Sequence, residues 1–393
     1  MRAALARKGA AEAFDALLAA DETWRETSAR VEALRRALKV KGRPDDETLR
    51  ALAATKAELR DAEATLAAVE AERTGLLGIV PNPPDASVPD GGEDDAVVVR
   101  SVGAIPKFDF PVRDHLELGQ FDAERGVRLS GTRFAYRYGP TALVELALYH
   151  YALHHVVERG FIPYLPPVLV REEAMYGTGF LPTEASNLYK VEPDGLYLTG
   201  TSEVALAGLH LGEILEEDEL PCRYAGYSTC FRREAGAAGR DTRGIFRVHQ
   251  FDKVEMFVWT TPDASSEEHE ALLALEEEIV AGLGLSYRVV NIAAGDLGAP
   301  AAKKYDIEAF IPSQGRYREI TSCSNTTDYQ ARRLGTRCRL AGDLVAPHTL
   351  NGTAMTARFL IALLETFQDE RGAVAVPEVL WRHGAPRRLE PTF

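Results

Sequence analysis

The sequence predicts an α+β protein in which a long antiparallel helical coiled-coil arm precedes a larger body built on an antiparallel β-sheet flanked by helices. Two heptad-like stretches separated by a Gly/Pro break carry the first half of that expectation. A proline-rich segment that no helix can continue through, followed by short β-rich runs alternating with helices, carries the second. At 393 residues the chain has the length of two or three domains.

In the first stretch Leu17, Trp24, Val31 and Leu38 recur every seven residues. In the second, Leu52, Thr55, Leu59, Ala62, Leu66, Val69 and Leu76 follow a 3,4 spacing, so each stretch has one apolar seam. Between them Lys41-Gly42-Arg43-Pro44-Asp45-Asp46 breaks one helix and offers Asp caps to the next. Arms of about 30 residues would reach roughly 45 Å, more than a globular unit needs. Pro81-Asn82-Pro83-Pro84-Asp85 ends the hairpin. Pro140 can open a helix that 143–157 continue and Gly160 ends, before a strand over 161–170. Further helices are expected over 265–283 and 354–368. His150, His154 and His155 lack the Glu of a metalloprotease helix and read as ordinary surface or interface histidines.

The balance of 46% hydrophobic and 26% charged residues is that of a globular protein in water, and no apolar run approaches the roughly 20 residues of a membrane span. Residues 1–20 alternate Ala, Leu and charge without the compact apolar core of a secretion signal, so a cytoplasmic location is expected. Cys222, Cys230, Cys323 and Cys338 form no C-x-x-C pair, and no zinc is expected. The net charge of −14 argues against indiscriminate nucleic-acid binding, yet residues 1–80 carry 14 basic and 14 acidic side chains. A polyanion is least repelled there, and Arg35, Arg36, Lys39, Lys41 and Arg43 crowd near the expected tip.

The most informative stretch is 227–257, YSTCFRREAGAAGRDTRGIFRVHQFDKVEMF. Its β-rich flanks enclose a polar, glycine-rich loop over 236–244, the pattern of an antiparallel hairpin. Alternation puts Arg247, Phe251 and Glu255 on one face of the return strand, with Phe246, Val248, Val254 and Met256 on the other, and gives Arg232 and Glu234 a common face on the outgoing strand. Arginine forks match phosphate oxygens and Phe251 offers a plate for a purine. Glu255 lies about 13 Å further along the strand. Those spacings fit an aminoacyl adenylate. Two further segments suit the same ligand. Glu319, on a strand expected to run into a polar turn at Ser322–Asn325, could hold a divalent ion against phosphates, and Asn351-Gly352-Thr353 precedes a helix with Arg358 one turn in.

Several motifs together resemble the bacterial seryl-tRNA synthetases, a family of class II aminoacyl-tRNA synthetases. Gly160-Phe161 to Pro166-Pro167 resembles the family's motif 1, Cys230-Phe231-Arg232-Arg233-Glu234 through Glu255 its motif 2, and Asn351 to Arg358 its motif 3. Thr201-Ser202-Glu203 is similar to its serine-binding element, and EITSCSNTTDYQARR from Glu319 to a family hallmark. Position 233 departs from the family, with Arg where many members have a small residue.

The resemblance implies a helical tRNA-binding arm over 1–80, a linker over 81–100 and a class II catalytic domain over 101–393. It implies that Arg232 holds the serine carboxylate and α-phosphate, that Arg233, Glu234, Arg247, Ile320 and Thr321 belong to the ATP site, and that Phe251 stacks on adenine with Arg358 on the opposite side. Glu319 and Ser322 would organise Mg²⁺ and phosphates. Thr201, Ser202 and Glu203 would serve the amino acid's ammonium end, and Glu255 and Thr353 its hydroxyl. Partners implied are L-serine, ATP, tRNA(Ser), tRNA(Sec) where present, and a second copy of the chain through motif 1. The alternatives are a paralogue serving antibiotic resistance or secondary metabolism, and one that charges a carrier protein. The helical arm and the Thr201-Ser202-Glu203 element speak against the carrier protein.

Overall fold

A computed structural model of the chain describes residues 1–39, 45–235 and 244–391. It divides into two compact units, Met1–Pro83 and Pro84–Phe393. The first is a helical hairpin: α1 (Arg2–Ala6), α2 (Ala11–Ala37) and α3 (Asp46–Ile79). Asp45 caps α3 by accepting from the Thr48 amide at 2.8 Å, as its position before the helix leads one to expect. Leu17, Val31 and Ala62 are buried, and the other seam positions are at most half-buried, as befits an interface of only two helices. Arg30–Glu58 and Arg35–Glu63, each at 2.7 Å, and Arg73–Asp21 at 2.6 Å tie the flanks together. Lys41 and Arg43 lie outside the described residues.

The second unit is organised by an eight-stranded sheet: β1 (Val97–Val102), β2 (Ile162–Tyr164), β3 (Cys222–Phe231), β4 (Gln250–Thr260), β5 (Tyr287–Asn291), β6 (Lys303–Ile311), β7 (Arg316–Thr327) and β8 (His348–Thr356). Their order is β1-β5-β6-β7-β8-β4-β3-β2, antiparallel throughout except for the edge strand β2, which runs parallel to β3. Because β1 pairs with β5, the sheet already begins inside the stretch expected to be linker. Helices α4 (Gly139–Glu158), α6 (Ser265–Gly282) and α8 (Ala357–Thr366) cover one face, with the short α5 (Glu203–Ala207) and α7 (Tyr329–Leu334) on the other side.

Alternation along β4 shows how one strand serves two purposes. Val254, Met256 and Val258 enter the core under α4, α6 and α8, while Phe257 and Trp259 join a second cluster with Leu206, Tyr224, Ala331 and Leu334. Phe251, Lys253 and Glu255 share the face of Phe257 and Trp259 but open on a cavity.

Three expectations are corrected. Residues 161–170 hold β2 and a separate strand, Leu169–Arg171, because the Pro-rich turn between them interrupts pairing. Residues 354–356 extend β8, and the last helix starts only at Ala357 behind a Thr356 cap. Ser322–Asn325 continue β7 as strand, with Ser324 and Asn325 paired to β8.

Candidate active site

Thirteen of the residues singled out from the sequence line one cavity of about 460 Å³: Thr201, Glu203, Arg232, Glu234, Arg247, Phe251, Glu255, Glu319, Ile320, Thr321, Ser322, Thr353 and Arg358. That four consecutive residues of β7 reach it follows from an irregularity. The β6–β7 register slips between Ile307–Thr321 and Glu308–Glu319, and such a bulge re-aims side chains that a regular strand would hide.

The motif 2 segments arrive by a different path from the one expected. β3 stops at Phe231, so Arg232 and Glu234 are not strand neighbours on a face. Glu234 takes a left-handed conformation, φ +52, and its carboxylate pairs with Arg247. Residues 244–249 are not strand either. Ile245 is buried and its amide donates to His115 Nε2 at 3.3 Å, while His115 Nδ1 meets Glu365 at 2.9 Å. This anchor places Arg247 and Phe246 in the cavity wall, and Phe246 and Val248 line it too, contrary to the face alternation drawn from sequence. The loop tip at 236–243 lies outside the described residues.

Two of the expected site residues stand apart from the cavity. Ser202 is buried with its hydroxyl 2.7 Å from that of Ser228, so it fastens α5 to β3 instead of facing the cavity. Arg233 leans over the ring of Tyr189 at 5.9 Å, which takes its charge away from the cavity. Arg36 and Lys39 are exposed on the first unit, and Arg35 is paired with Glu63.

Charge in the cavity is arranged in pairs. Arg358 meets Glu319 at 3.2 Å, Lys304 meets Asp306 at 2.9 Å, and Arg247–Glu234 and Lys253–Glu255 are in direct contact. Arg232 differs: its Nε donates to the Gly200 carbonyl at 3.1 Å and no carboxylate pairs with it among the described residues. The buried Arg247 Nε has no partner among them either, a donor waiting for an acceptor.

Burial pushes the Glu203 carboxyl up to about 7, with nearby Glu255 adding to the effect and Gln330 opposing it. Gln330 Nε2 and Asn351 Nδ2 donate to Glu203 Oε1 at 2.7 and 2.9 Å. The Gln330 amide is itself oriented, its oxygen accepting from the Thr349 hydroxyl at 2.8 Å. Burial also raises Glu255, against the pull of Lys253. Burial would raise Glu319 as well, but Arg358 and Lys304 prevail and hold it at about 2. Glu319 and the Ser322 hydroxyl are hard oxygen donors, and no group of three His, Cys, Asp or Glu suited to a metal exists among the described residues. One carboxylate with a hydroxyl fits a divalent ion that draws its remaining ligands from phosphates and water.

Sequence reasoning missed Lys253, Lys304 and Gln330. The first shares its alternation phase with Phe251 and Glu255 and was there to be found. Lys304 is brought in by β6 with no local signal, and Gln330, inside the 319–333 stretch, is turned toward Glu203 by α7.

Residues 189–367 match the model of the tRNA synthetase class II core domain (G, H, P, S and T). The serine–tRNA ligase of Thermobifida fusca is 50% identical over 394 residues, covering 97% of this chain and 93% of that protein. That of Leifsonia xyli is 53% identical over 339 residues, covering 85% and 80%. The chain belongs to the serine–tRNA ligase family. Among solved structures, seryl-tRNA synthetase from Pyrococcus horikoshii complexed with ATP superposes with a TM-score of 0.93 at 37% identity, covering 100% of this chain and 97% of that one. Membership in this family makes the chain an ATP-dependent aminoacyl-tRNA ligase and disfavours the carrier-protein alternative.

Proposed function

We propose that the chain activates L-serine with ATP to seryl adenylate in this cavity and transfers the seryl group to the 3′ end of tRNA(Ser), and of tRNA(Sec) where present. The observation that carries the assignment is one cavity lined both by Arg232, Arg247 and Phe251 and by the buried Glu203, Glu255 and Thr353. With Phe251 and Glu255 about 13 Å apart along β4, that is the reach and polarity of a nucleotide joined to a small hydroxylated amino acid. Arg232 bridges the serine carboxylate and the α-phosphate, and Arg247, with its unmet Nε, and Glu234 contact the nucleotide. Phe251 stacks on the purine, with Arg358 on its other side, and the backbone of Ile320 and Thr321 closes the nucleotide site. Thr201 and Glu203 receive the ammonium, Glu255 and Thr353 the hydroxyl.

The serine carboxylate is ionised at neutral pH, so its attack on the α-phosphorus needs no general base. What the chain supplies is position and preorganised positive charge against the oxygens that gain charge as pyrophosphate leaves. A divalent ion held by Glu319 and Ser322 through the ATP phosphates would add further charge neutralisation there. In the second step the terminal ribose hydroxyl of tRNA attacks the adenylate carbonyl and AMP departs. Alanine leaves Glu255 and Thr353 without the hydroxyl they are built for, so rejection by a factor of about 10⁴ is expected.

The first unit, Met1–Pro83, is the tRNA-binding arm, with Arg36 and Lys39 among its exposed cations. A homodimer through the motif 1 region is supported by Leu143, Leu146, Val157, Ile162 and Leu165, which stay exposed on α4, β2 and the following turn; Leu165 is 81% exposed. No described helix is long and apolar enough to cross a membrane, and a cytoplasmic site of action agrees with a tRNA substrate. ATP/pyrophosphate exchange measured across the amino acids, followed by charging of total tRNA, tests the assignment. Exchange stimulated by another amino acid in place of serine would refute it.

A further inference from the structure

Behind the cavity lies a carboxyl that the chemistry above does not use. Glu276, on α6, is 1% exposed, and neither of its oxygens makes a well-formed hydrogen bond among the described residues. No cation pairs with it there. Burial pushes its pKa well above the usual carboxylate range, with Thr321 opposing and Glu255 adding to the effect, and a carboxyl this buried with no cation beside it is held in its neutral form.

Its location is specific. A Cβ built on Gly352 would stand 3.1 Å from Glu276 Oε1, 3.1 Å from Met256 Cε and 3.3 Å from Cys323 Cβ, so the glycine leaves the carboxyl room to come up against β8. At that point the β7–β8 ladder ends: Cys323–Gly352 is the last pair on the cavity side. Beyond it the Thr321 hydroxyl takes over from the backbone and donates to the Thr353 carbonyl. Thr321 and Thr353 line the cavity in front of this opening, and they are also the groups that face Glu276 from the front. The Thr353 hydroxyl in turn donates to Glu255 Oε2 at 3.4 Å.

We propose that Glu276 is a positioning residue: wedged behind the gap where β7 and β8 part, it sets the placement of Thr321 and Thr353, and through Thr353 the fit of the serine hydroxyl. This rests on the assignment of Glu255 and Thr353 to that hydroxyl. An amide has the same shape and neutrality as the acid, whereas an aliphatic side chain fills the space without a polar face toward Thr321 and Thr353.

Serine-dependent ATP/pyrophosphate exchange on the full chain tests it with Glu276→Gln, Glu276→Leu and Thr353→Val. The expected result is Glu276→Gln within about twofold of the parent, and Glu276→Leu with its serine KM raised about tenfold or more while its ATP KM stays within about twofold. An unchanged serine KM in Glu276→Leu, or serine and ATP KM values raised alike, overturns the proposal. Should Glu276→Leu not fold, the infrared C=O stretch of a protonated carboxylic acid that the parent has and Glu276→Gln lacks decides: it shifts when serine is added, and a band indifferent to serine overturns the role. Thr353→Val with an unchanged serine KM would instead refute the hydroxyl assignment, whatever the Glu276 variants do.

Discussion

The guanidinium of Arg232 lies over the ring of Phe251, 5.3 Å from its centroid. The plate assigned to the purine therefore already carries a cation at one side, and the same arginine has no carboxylate to hold it among the described residues. With no ion pair to give up there, it is the residue we assign to both reactants.

Arg232→Ala is expected to abolish serine-dependent pyrophosphate exchange, by a factor of about 10² to 10³ or more, the size seen when one donor to a developing charge is removed. Arg232→Lys will not restore it, because a point charge cannot bridge carboxylate and phosphate as a fork does. Near-normal exchange in either variant would contradict the role.

Phe251→Leu keeps the volume apolar but removes the flat face. The ATP KM should rise about three- to tenfold, the equivalent of a stacking contact, with the serine KM unchanged. Equal effects on both substrates would place the purine elsewhere.

Glu203 sets a pH dependence whose sign can be worked out. Its carboxyl titrates at about 7 in the folded protein, above its unfolded value of 4.5. The folded state thus binds the extra proton between those values, and the stability this contributes is present below pH 4.5 and lost as pH rises through 7. An ammonium needs the carboxylate, so serine KM should rise about tenfold per unit below pH 7. Glu203→Gln should flatten the pH profile of thermal stability, make the protein more stable at pH 8 by on the order of 1–3 kcal/mol, and eliminate serine activation. A serine KM that stays constant over roughly two pH units around neutrality would exclude Glu203 as the ammonium's partner.

Lys253 and Glu255 are a buried pair, 6% and 1% exposed. Lys253→Met strands a carboxyl without its cation and should cost about 3–5 kcal/mol in denaturant unfolding. Adding Glu255→Gln should recover much of that loss while leaving serine activation impaired. Failure of the second change to restore stability would show that the pair matters for packing and not for charge.

Deleting residues 10–78 should spare adenylate formation and destroy tRNA charging. Loss of both activities together, with a lowered melting temperature, would point to stability as the cause.

Much of this architecture could be read from residue order because its signals are local. The seam from Leu17 to Leu76 and the alternation from Phe251 to Glu255 each depend on neighbours only a few positions away. Arg247 reached the expected wall by an unexpected route, since its backbone is fixed by His115 and Glu365, more than a hundred residues away on either side. Thr353 looked like a helix entrance because Asn-Gly-Thr is a common cap, but pairing with Glu255 of β4 draws it into the sheet. Glu276 sits in an acidic run that reads as an ordinary solvated helix face, and only the packing of α6 reveals that it points inward.

Arg247, Arg358, Lys253 and Lys304 each keep a resident carboxylate. Admission to the cavity is then a swap of companions, since an incoming oxygen must displace one already in place.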